Sequence, residues 1–424
     1  MKILWLCNMI LPNIALKLQQ KASYFGGWMV GLADQILEED NIKLIVCAPI
    51  YNETKAIEGN DKNLSYYCFP QNNRCLSKYD IDIEKYIQYI LEKVNPDVVH
   101  IFGTEYPHSL AMINVCEKLG ILDKVVINIQ GLVSVISSHY NANLPNKIVN
   151  RYTIRDIIKN NNINKQKKEF YKRGKFEIEA IKKCKHIIGR TDWDKACTTQ
   201  INPNIKYHFC NETLRESFYK NTWDINKCKK HSIFISQCSY PIKGFHFMLE
   251  AMPQILKKYP DAHIYTTGKN PLKLNIFIDK IKITSYQKYI GELIEKYNLQ
   301  NNVTFLGSLN EQEMCNQFLK SHVFVSPSVI ENSPNSVGEA MILGVPTISS
   351  DVGGVKNMLV HDKEGFIYQH DAPYMLAHYV CEVFSNDELA LKFSENAKVH
   401  ANITHNKNLN LENMINIYKE IVQL

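Results

Sequence analysis

Two glutamates, Glu331 and Glu339, stand eight positions apart in the stretch ENSPNSVGEAMILGVPTISS. On one straight helix this spacing would separate the carboxylates by about 12 Å along the axis and turn them about 80° apart. A cooperating pair of glycosidase carboxylates lies roughly 5 to 9.5 Å apart around a single bond. We therefore expect Glu331 and Glu339 to contact different parts of one long ligand.

Pro334 indicates where the helix begins, because proline is unfavourable inside a helix but well tolerated at its first turn. The helix should start near Asn335 or Ser336, which leaves Glu331 in the loop after the predicted strand VFVSP. Free backbone N–H groups at such a helix start favour phosphate or sugar oxygens.

A nucleoside diphosphate sugar fits this spacing, with its hexose at Glu331, its phosphates at the helix start and its ribose at Glu339. The alternative is a surface glutamate followed by a first-turn glutamate that is stabilised by the helix dipole.

The elements that position these residues alternate between apolar runs and helical patterns, which predicts parallel strands with crossover helices. Ligands bind beyond the carboxyl ends of such strands, so two sheets that face each other would share a site in the cleft between them. The predicted strands are 2–7, 42–49, 97–103, 124–131, 187–190, 207–210, 233–237, 263–268, 303–307, 323–327 and 346–350.

A polar, aperiodic segment at 211–231 interrupts the alternation, and we interpret it as an interdomain linker. It separates a Rossmann-like N-terminal domain at 1–210 from a similar donor domain at 232–400. Apolar residues at helical spacing in 408–424 predict a closing helix, so 401–424 should cross back to the first domain.

Beyond Glu339 the sequence continues as GEAMILGVPTISSDVGGVKNMLVHDKEGFIY and resembles the donor site of glycosyltransferase family 4. The resemblance is strong in the C-terminal half and looser in the N-terminal half. It implies the GT-B fold, retention at the anomeric carbon, and front-side transfer in which the donor phosphate accepts the acceptor proton. The donor site that it implies comprises Gly26, Gly27, Lys243, Glu331, Asn335, Ser336, Val337 and Glu339.

Two of these features have a physical rationale of their own. Gly26 and Gly27 open a helix after a long loop, and glycine there allows the backbone to approach a ligand. The alternative is that the two glycines only form a loop and contact no ligand. Lys243 matches the lysine of the family that meets the donor phosphates, where a cation would stabilise charge on the leaving diphosphate. With Glu331 it forms the predicted catalytic pair.

The family usually adds an arginine five or six positions before the lysine, and this chain has Gln237, Cys238 and Ser239 there. Arg190 could replace that arginine, although an ion pair at the surface or between domains is the favoured role for Arg190.

The candidate acceptor residues follow strands of the first domain. Glu105 and His108 come after DVVHIFG, and Gln130 follows the next strand. Gln130 occupies a position where relatives carry histidine, and an amide cannot carry a proton. For Glu105 and His108, a helix-cap role is the alternative to orienting the acceptor.

No metal or cofactor is expected, apart from the nucleotide sugar as co-substrate. The aspartate pairs Asp80/Asp82 and Asp192/Asp194 mimic a D-x-D metal clamp, but the first pair falls at a helix start and the domain pattern is wrong for the fold that uses that clamp.

The chain carries a net charge of +6, and one stretch supplies this excess, with twelve Lys/Arg against four Asp/Glu in 151–185. A helix there would line Phe170, Gly174, Ile178 and Ile181 along one face. Such a basic amphipathic helix could lie on an anionic membrane, or it could present an ordinary solvated face. Nucleic-acid binding is not expected, because a single basic patch without a recognised motif is too weak a signal.

Twelve cysteines without a C-x-x-C pair indicate reduced thiols, and no apolar segment reaches the ~18 residues of a membrane span. We therefore expect a cytoplasmic protein, peripheral on the inner face of the membrane if the basic stretch binds lipid. The expected activity is hexose transfer to a hydroxyl of a saccharide or lipid-linked acceptor, in surface polysaccharide or glycolipid biosynthesis. The alternatives are a nucleotide-sugar epimerase of the same fold and a non-catalytic nucleotide-sugar-binding protein.

Overall fold

The structure is a computed structural model that describes residues 1–20, 26–51, 53–61, 63–72, 76–272 and 281–423. Residue contacts divide it into two compact units. The first unit comprises Met1–Ser137, Glu169–Thr213 and His405–Leu424, and the second comprises Ser138–Lys168 and Leu214–Thr404.

A mixed sheet forms the centre of the first unit, and within the described ranges it contains eight strands. The order is β3-β4-β2-β1-β5-β6-β7-β8, in which only the edge strand β3 is antiparallel to its neighbour. The strands are β1 (Lys2–Leu6), β2 (Lys43–Ile50), β3 (Ile57–Asp61), β4 (Leu64–Pro70), β5 (Val98–Phe102), β6 (Val125–Asn128), β7 (His186–Gly189) and β8 (Lys206–Phe209).

A parallel sheet forms the centre of the second unit, with six strands within the described ranges. Their order is β11-β10-β9-β12-β13-β14, so β9 and β12 are adjacent near the middle of the sheet. The strands are β9 (Lys229–Ile235), β10 (His263–Thr266), β11 (Val303–Phe305), β12 (Ser321–Ser326), β13 (Thr347–Ser350) and β14 (Gly365–Tyr368).

Helices connect these strands and cover the sheets. Their α-helical bounds are Pro12–Lys17, Gly27–Leu37, Asp82–Val94, His108–Lys118, Val133–His139, Asn146–Val149, Ile154–Lys159, Ile163–Lys183, Asp192–Ile201, Glu216–Tyr219, Phe245–Lys258, Ser285–Lys296, Glu311–Lys320, Asn335–Leu343, Pro373–Ser385, Asp387–Thr404 and Lys407–Val422. Short 3-10 helices span Leu122–Lys124, Pro241–Lys243 and Val355–Asn357.

The first sheet is buried on both faces, as parallel sheets covered by helices are. Ile3 and Trp5 of β1 point into one core, whereas Leu4 and Leu6 point into the other. The alternation follows from the two-residue period of a strand, and it explains why β1 consists of consecutive apolar residues.

The closing helix Lys407–Val422 belongs to the first unit, as predicted for the chain end. Its Tyr418 hydroxyl accepts a hydrogen bond from Trp5 Nε1 at 3.1 Å and lies 2.6 Å from His100 Nδ1. All three side chains are buried, and burial lowers the pKa of His100 to about 3. His100 is therefore a neutral core histidine.

The division into units differs from the predicted domains at the segment 138–168. This segment was expected in the N-terminal domain, but it groups with the second unit. The reason is a set of polar contacts: Asp156 accepts a hydrogen bond from the Ser285 N–H, and Thr153 donates to the Ile283 carbonyl.

The predicted linker 211–231 is also largely part of the second unit. Its Trp223 is buried, and the indole N–H donates to the Ser321 carbonyl at 2.8 Å. An aromatic residue with its polar atom satisfied in a core is not a feature of a free linker.

The amphipathic face predicted for the basic stretch is occupied by the protein itself. A Cβ on Gly174 would lie 2.6 Å from Ser134 Cα, and Ile181 is fully buried. The Phe170 ring is covered by the Arg173 guanidinium at 4.3 Å. That face of the helix Ile163–Lys183 therefore cannot be the membrane contact, because it packs within the first unit.

Candidate functional site

The first part of the candidate site is a contact between two loops at the carboxyl ends of β9 and β12. Lys243 Nζ lies 2.5 Å from Glu331 Oε1, and the Ser328 hydroxyl donates to the same oxygen at 2.8 Å. These two residues were predicted as the catalytic pair from different sequence segments, and the structure brings them together. Ser328 was not predicted.

Backbone contacts fix the two loops against each other. Gly244 adopts a φ of +66°, and a Cβ there would lie 1.7 Å from the Pro327 carbonyl oxygen. The Val329 N–H donates to the Ile242 carbonyl at 2.8 Å. Glycine is thus required beside Lys243 both by its positive φ and by the close backbone approach.

A second glycine shapes the other side of the Glu331 loop. Gly353 has a φ of +51°, and a Cβ would lie 1.8 Å from the Glu331 carbonyl oxygen. The same carbonyl accepts a hydrogen bond from the Gly354 N–H at 3.2 Å. The segment DVGG after β13 therefore supports the backbone of Glu331, which gives a structural reason for the two glycines in the motif.

The helix Asn335–Leu343 begins where Pro334 predicts, with Pro334 at the N-cap. Asn335 and Ser336 are half-buried, and Asn335 Oδ1 has no hydrogen-bond partner among the described residues. Val337 is fully buried, so only its backbone could face a ligand. The Val337 N–H, however, donates to the Pro334 carbonyl at 2.9 Å, so the N–H groups of Asn335 and Ser336 are the ones at this helix start that suit an anion.

Glu339 lies one turn into this helix and is buried next to a cation that was not predicted. Arg215 Nε donates to Glu339 Oε1 at 2.8 Å, and a second guanidinium nitrogen lies 2.7 Å from the same oxygen. Burial raises the pKa of Glu339 to about 6, and Arg215 partly opposes that rise. Arg215 occurs in the segment interpreted as a linker, where neither periodicity nor a motif indicated it.

In the first unit, Asn8 joins two predicted acceptor residues at the carboxyl ends of β1 and β5. Its amide donates to Glu105 Oε2 at 2.8 Å, and its carbonyl oxygen lies 2.8 Å from His108 Nε2. Burial lowers the pKa of His108 to about 3 and raises the pKa of Glu105. Pro107 is the N-cap of the helix that follows and makes no side-chain cap.

Gln130 belongs to a different cluster of the first unit. Its amide donates to Asn128 Oδ1 at 2.6 Å and to Glu212 Oε1 at 2.8 Å. Arg190 forms an ion pair with the same Glu212 oxygen, and both charged side chains are buried. Arg190 therefore forms an ion pair, as expected, but the pair is buried within the first unit, whereas a pair at the surface or between domains was predicted.

Gly26 and Gly27 also lie in the first unit, at the start of the helix Gly27–Leu37. Gly26 is the N-cap with a φ of +79°, a backbone conformation that favours glycine. The conformation agrees with the predicted glycine turn, and its role toward a ligand stays a prediction.

The aspartate pairs have structural partners. Asp82 begins the helix Asp82–Val94, and its N–H donates to Asp80 Oδ1 at 3.0 Å. Asp194 is buried and accepts from the Arg190 N–H and from the Tyr207 hydroxyl. In the part of the chain that the structure describes, no group of three His, Cys, Asp or Glu side chains is placed to bind a metal.

The sequence and the fold both resemble known glycosyltransferases. Residues 216–400 match the family model "Glycosyl transferases group 1". An uncharacterized glycosyltransferase of Methanocaldococcus jannaschii is 32% identical over 191 residues, which cover 43% of this chain and 41% of that protein. The match thus spans less than half the length of this curated relative.

Solved structures resemble the chain over nearly its whole length. Sucrose-phosphate synthase from Thermosynechococcus elongatus aligns with a TM-score of 0.70 at 13% identity, covering 99% of this chain and 98% of that one. The Anabaena HepE protein in complex with UDP-glucose aligns with a TM-score of 0.66 at 13% identity, covering 98% and 99%. The fold is therefore GT-B, with two Rossmann-like α/β domains.

Proposed function

We propose that this chain is a glycosyltransferase that transfers a hexose from a nucleotide diphosphate sugar to a hydroxyl, with retention at the anomeric carbon. The observation that carries the proposal is the contact between Lys243 and Glu331, which joins the two loops at the carboxyl ends of adjacent strands. The match of residues 216–400 to group 1 glycosyl transferases supports it.

Lys243 would bind the donor diphosphate. When the bond from the sugar to the diphosphate breaks, negative charge develops on the leaving phosphate, and a fixed cation stabilises that charge. Gly244 fixes the backbone beside Lys243, so the side chain starts from a defined position next to the Glu331 loop. Its ammonium group would reach the diphosphate by exchanging Glu331 for the phosphate oxygens.

Glu331 would accept hydrogen bonds from the hexose. Its carboxylate is paired with Lys243, so each of the two charges neutralises the other. A donor diphosphate would attract Lys243 away and leave the carboxylate free for sugar hydroxyls. The pairing limits the cost of two partly buried charges.

The helix start and Glu339 would bind the nucleotide end of the donor. The N–H groups of Asn335 and Ser336 favour phosphate oxygens, and Glu339 would accept from the ribose hydroxyls. Arg215 opposes the rise in the pKa of Glu339 that burial causes, and an ionised carboxylate is the form that accepts hydrogen bonds from both hydroxyls.

The first unit would contribute orientation of the acceptor through Glu105 and His108. His108 is a neutral imidazole at physiological pH, because burial lowers its pKa to about 3. Because His108 is also buried and bonded to Asn8, it would act on the acceptor indirectly, by fixing Asn8 and through it Glu105. Gln130 offers hydrogen bonds without a proton to transfer.

Retention by front-side transfer suits a site without a free nucleophile. With the donor bound, the Glu331 carboxylate would be engaged by hydroxyls of the hexose, and the donor phosphate would accept the proton of the attacking hydroxyl. The protein would contribute positioning and electrostatic stabilisation. Surface polysaccharide or glycolipid assembly is the setting that we propose, and it is supported by the resemblance to glycosyltransferases alone.

The test begins with the donor. Thermal shift of the purified chain with UDP, GDP, ADP and dTDP should identify one nucleotide that raises the melting temperature, because ligand binding stabilises the folded state. The matching labelled sugar nucleotide is then incubated with acceptors, and the product is analysed by NMR for its anomeric configuration.

Transfer with retention in excess EDTA is the expected result. An isomerised or free sugar formed without an acceptor would assign the chain to the epimerases. Nucleotide binding with neither transfer nor slow hydrolysis would identify a binding protein. A covalent sugar adduct on a carboxylate would contradict front-side transfer.

A further inference from the structure

The short helix Ile154–Lys159 has its apolar side outside. Ile154, Ile157 and Ile158 are 53%, 66% and 67% exposed, and Tyr152 just before the helix is 52% exposed. Residues at i, i+3 and i+4 share one face of a helix, so the three isoleucines form a single outward stripe. Surface helices of globular proteins normally present polar residues there.

The inner side of the helix is polar and firmly bonded. Asp156 is fully buried, and its Oδ2 accepts from the Ser285 N–H at 3.0 Å and from the Thr153 N–H at 3.2 Å. The Thr153 hydroxyl accepts from the Asp156 N–H, which completes a capping box, and donates to the Ile283 carbonyl at 2.7 Å. Turning the isoleucines inward would leave a buried carboxylate without its donors.

Neighbouring contacts fix the segment that carries the helix. Arg151 binds both oxygens of Glu292 at 2.8 and 3.0 Å, and the Ser285 hydroxyl donates to the Ile148 carbonyl at 3.0 Å. These partners all belong to the second unit. The isoleucines are therefore exposed on a well-anchored platform, and their exposure is a property of the folded chain.

The segment that carries the stripe is strongly basic. Residues 138–168 contain seven Lys/Arg and a single acidic residue, Asp156, which equals the net charge of +6 for the whole chain. Arg151 and Arg155 are paired with carboxylates. Five lysines of the segment have no carboxylate partner among the described residues. They are Lys147, Lys159, Lys165, Lys167 and Lys168.

We propose that this surface, Tyr152 with Ile154, Ile157 and Ile158, docks on a lipid bilayer that carries anionic headgroups. Aliphatic side chains and a tyrosine enter the boundary between headgroups and acyl chains, while the lysines of 138–168 attract the negative surface. Charge complementarity selects this occupant, because the segment offers an unbalanced positive field around a small apolar patch. The proposal is independent of glycosyl transfer.

The experiment measures binding of the full chain to vesicles by flotation. Vesicles of phosphatidylcholine with about a third phosphatidylglycerol should retain the protein, whereas pure phosphatidylcholine should not, since the attraction requires anionic lipid. Replacing the three isoleucines by serine (I154S, I157S and I158S together) should lower retention at least about tenfold by removing buried apolar area. These side chains are exposed, so folding should be unaffected.

A matched control removes equally exposed apolar side chains from another helix of the same unit. Val399 and Ile403 are 66% and 64% exposed in the helix Asp387–Thr404, and serine at both positions should leave retention unchanged. Lys159→Glu should reduce binding severalfold, with Lys257→Glu, an exposed lysine elsewhere in the unit, as its control.

Three results would overturn the proposal. The wild-type chain could fail to bind the anionic vesicles, or the triple serine variant could bind them as well as wild type. Sedimentation could also show that the wild-type chain self-associates and the triple variant does not, which would assign the surface to a second copy of the chain. None of these outcomes depends on whether a sugar donor binds or reacts.

Discussion

The two units contain ion pairs of opposite character. In the second unit, the side chains of Lys243 and Glu331 are 27% and 14% exposed and lie in loops after strands. In the first unit, the side chains of Arg190 and Glu212 are only 6% and 5% exposed, and Gln130 donates to the same Glu212 oxygen. One pair is open to exchange with a ligand, and the other is enclosed by its own partners.

This difference in exposure indicates which pair serves activity and which serves stability. Charges that can reach solvent can exchange one partner for another, which a donor diphosphate would require of Lys243. Charges that are buried together stabilise the native state only as long as both are present, because a single buried charge is costly. We therefore expect variants of the two pairs to separate activity from stability.

The largest effect is expected for Arg190→Ala. Removing the guanidinium leaves Glu212 buried without its cation, and breaking a buried pair costs roughly 3–5 kcal/mol of unfolding free energy. Denaturant titration measures this loss. Lys185→Ala breaks an exposed pair with Asp123 and serves as the control, with an expected change of about 0–1 kcal/mol.

Turnover per folded molecule should be unchanged in Arg190→Ala, if the ion pair is purely structural. A loss of donor affinity at unchanged stability would instead support the hypothesis that Arg190 replaces the missing phosphate arginine. The assignment of the Arg190–Glu212 pair to stability alone would then be wrong.

Lys243→Ala is expected to lower activity and to leave stability nearly unchanged, which is the reverse of Arg190→Ala. It should lower kcat/KM about 100- to 1,000-fold, as the loss of one preorganised group at a developing charge does. Stability should change little, because the pair is partly exposed. Steady-state kinetics with the identified donor measures the effect, and Lys257→Ala is the control. Activity within threefold of wild type would remove Lys243 from the proposed mechanism.

Much of the second site was predictable, because its signals are local. Pro334 correctly places the helix start, and the strand VFVSP correctly places Glu331 in the following loop. The contact between Lys243 and Glu331 was not predicted, because it depends on β9 and β12 being adjacent, and the strand order was not predicted.

The failures involve contacts between distant parts of the chain. Arg215 binds Glu339 across 124 positions, and nothing in its polar surroundings indicated a buried partner. The segment 138–168 joins the second unit through Asp156 and Ser285, 129 positions apart. The strands β3, β4 and β14 were also missed, because a short edge hairpin and a four-residue strand give little periodic signal.

Glu331→Gln should have a smaller effect than Lys243→Ala. The amide keeps the size of the side chain and one acceptor oxygen but loses the charge, so kcat/KM should fall about 10- to 100-fold, the range for a charged hydrogen bond. The double variant should lose less than the sum of the two single free-energy changes, because the residues are in contact. Full additivity would contradict a functional pair.

The smallest effect is expected from pH, and it concerns Glu339. Its pKa is about 6, raised chiefly by burial, so the carboxylate is mostly ionised at pH 7 and mostly protonated at pH 5. If the ionised form binds the ribose hydroxyls, donor affinity should fall roughly tenfold between pH 7 and pH 5, following the ionised fraction. Calorimetric titration of the nucleotide at each pH measures it.

The contribution of Glu339 to stability should change with pH in the other direction. A carboxyl whose pKa is higher in the folded protein than in the unfolded chain stabilises the fold at low pH, and that contribution is lost as the pH rises from about 4.5 to about 6. Glu177 acts with the same sign, since burial raises its pKa to about 7. The buried neutral histidines act with the opposite sign, because burial lowers the pKa of His100 and His108 to about 3, and their contribution is lost as the pH falls below about 6.5. Donor affinity at pH 5 is therefore measured together with circular dichroism, which shows whether the protein is still folded. Glu339→Gln should bind the donor weakly, and its donor affinity should not depend on pH in this range. If the affinity of the variant still fell between pH 7 and pH 5, the titration would belong to another group.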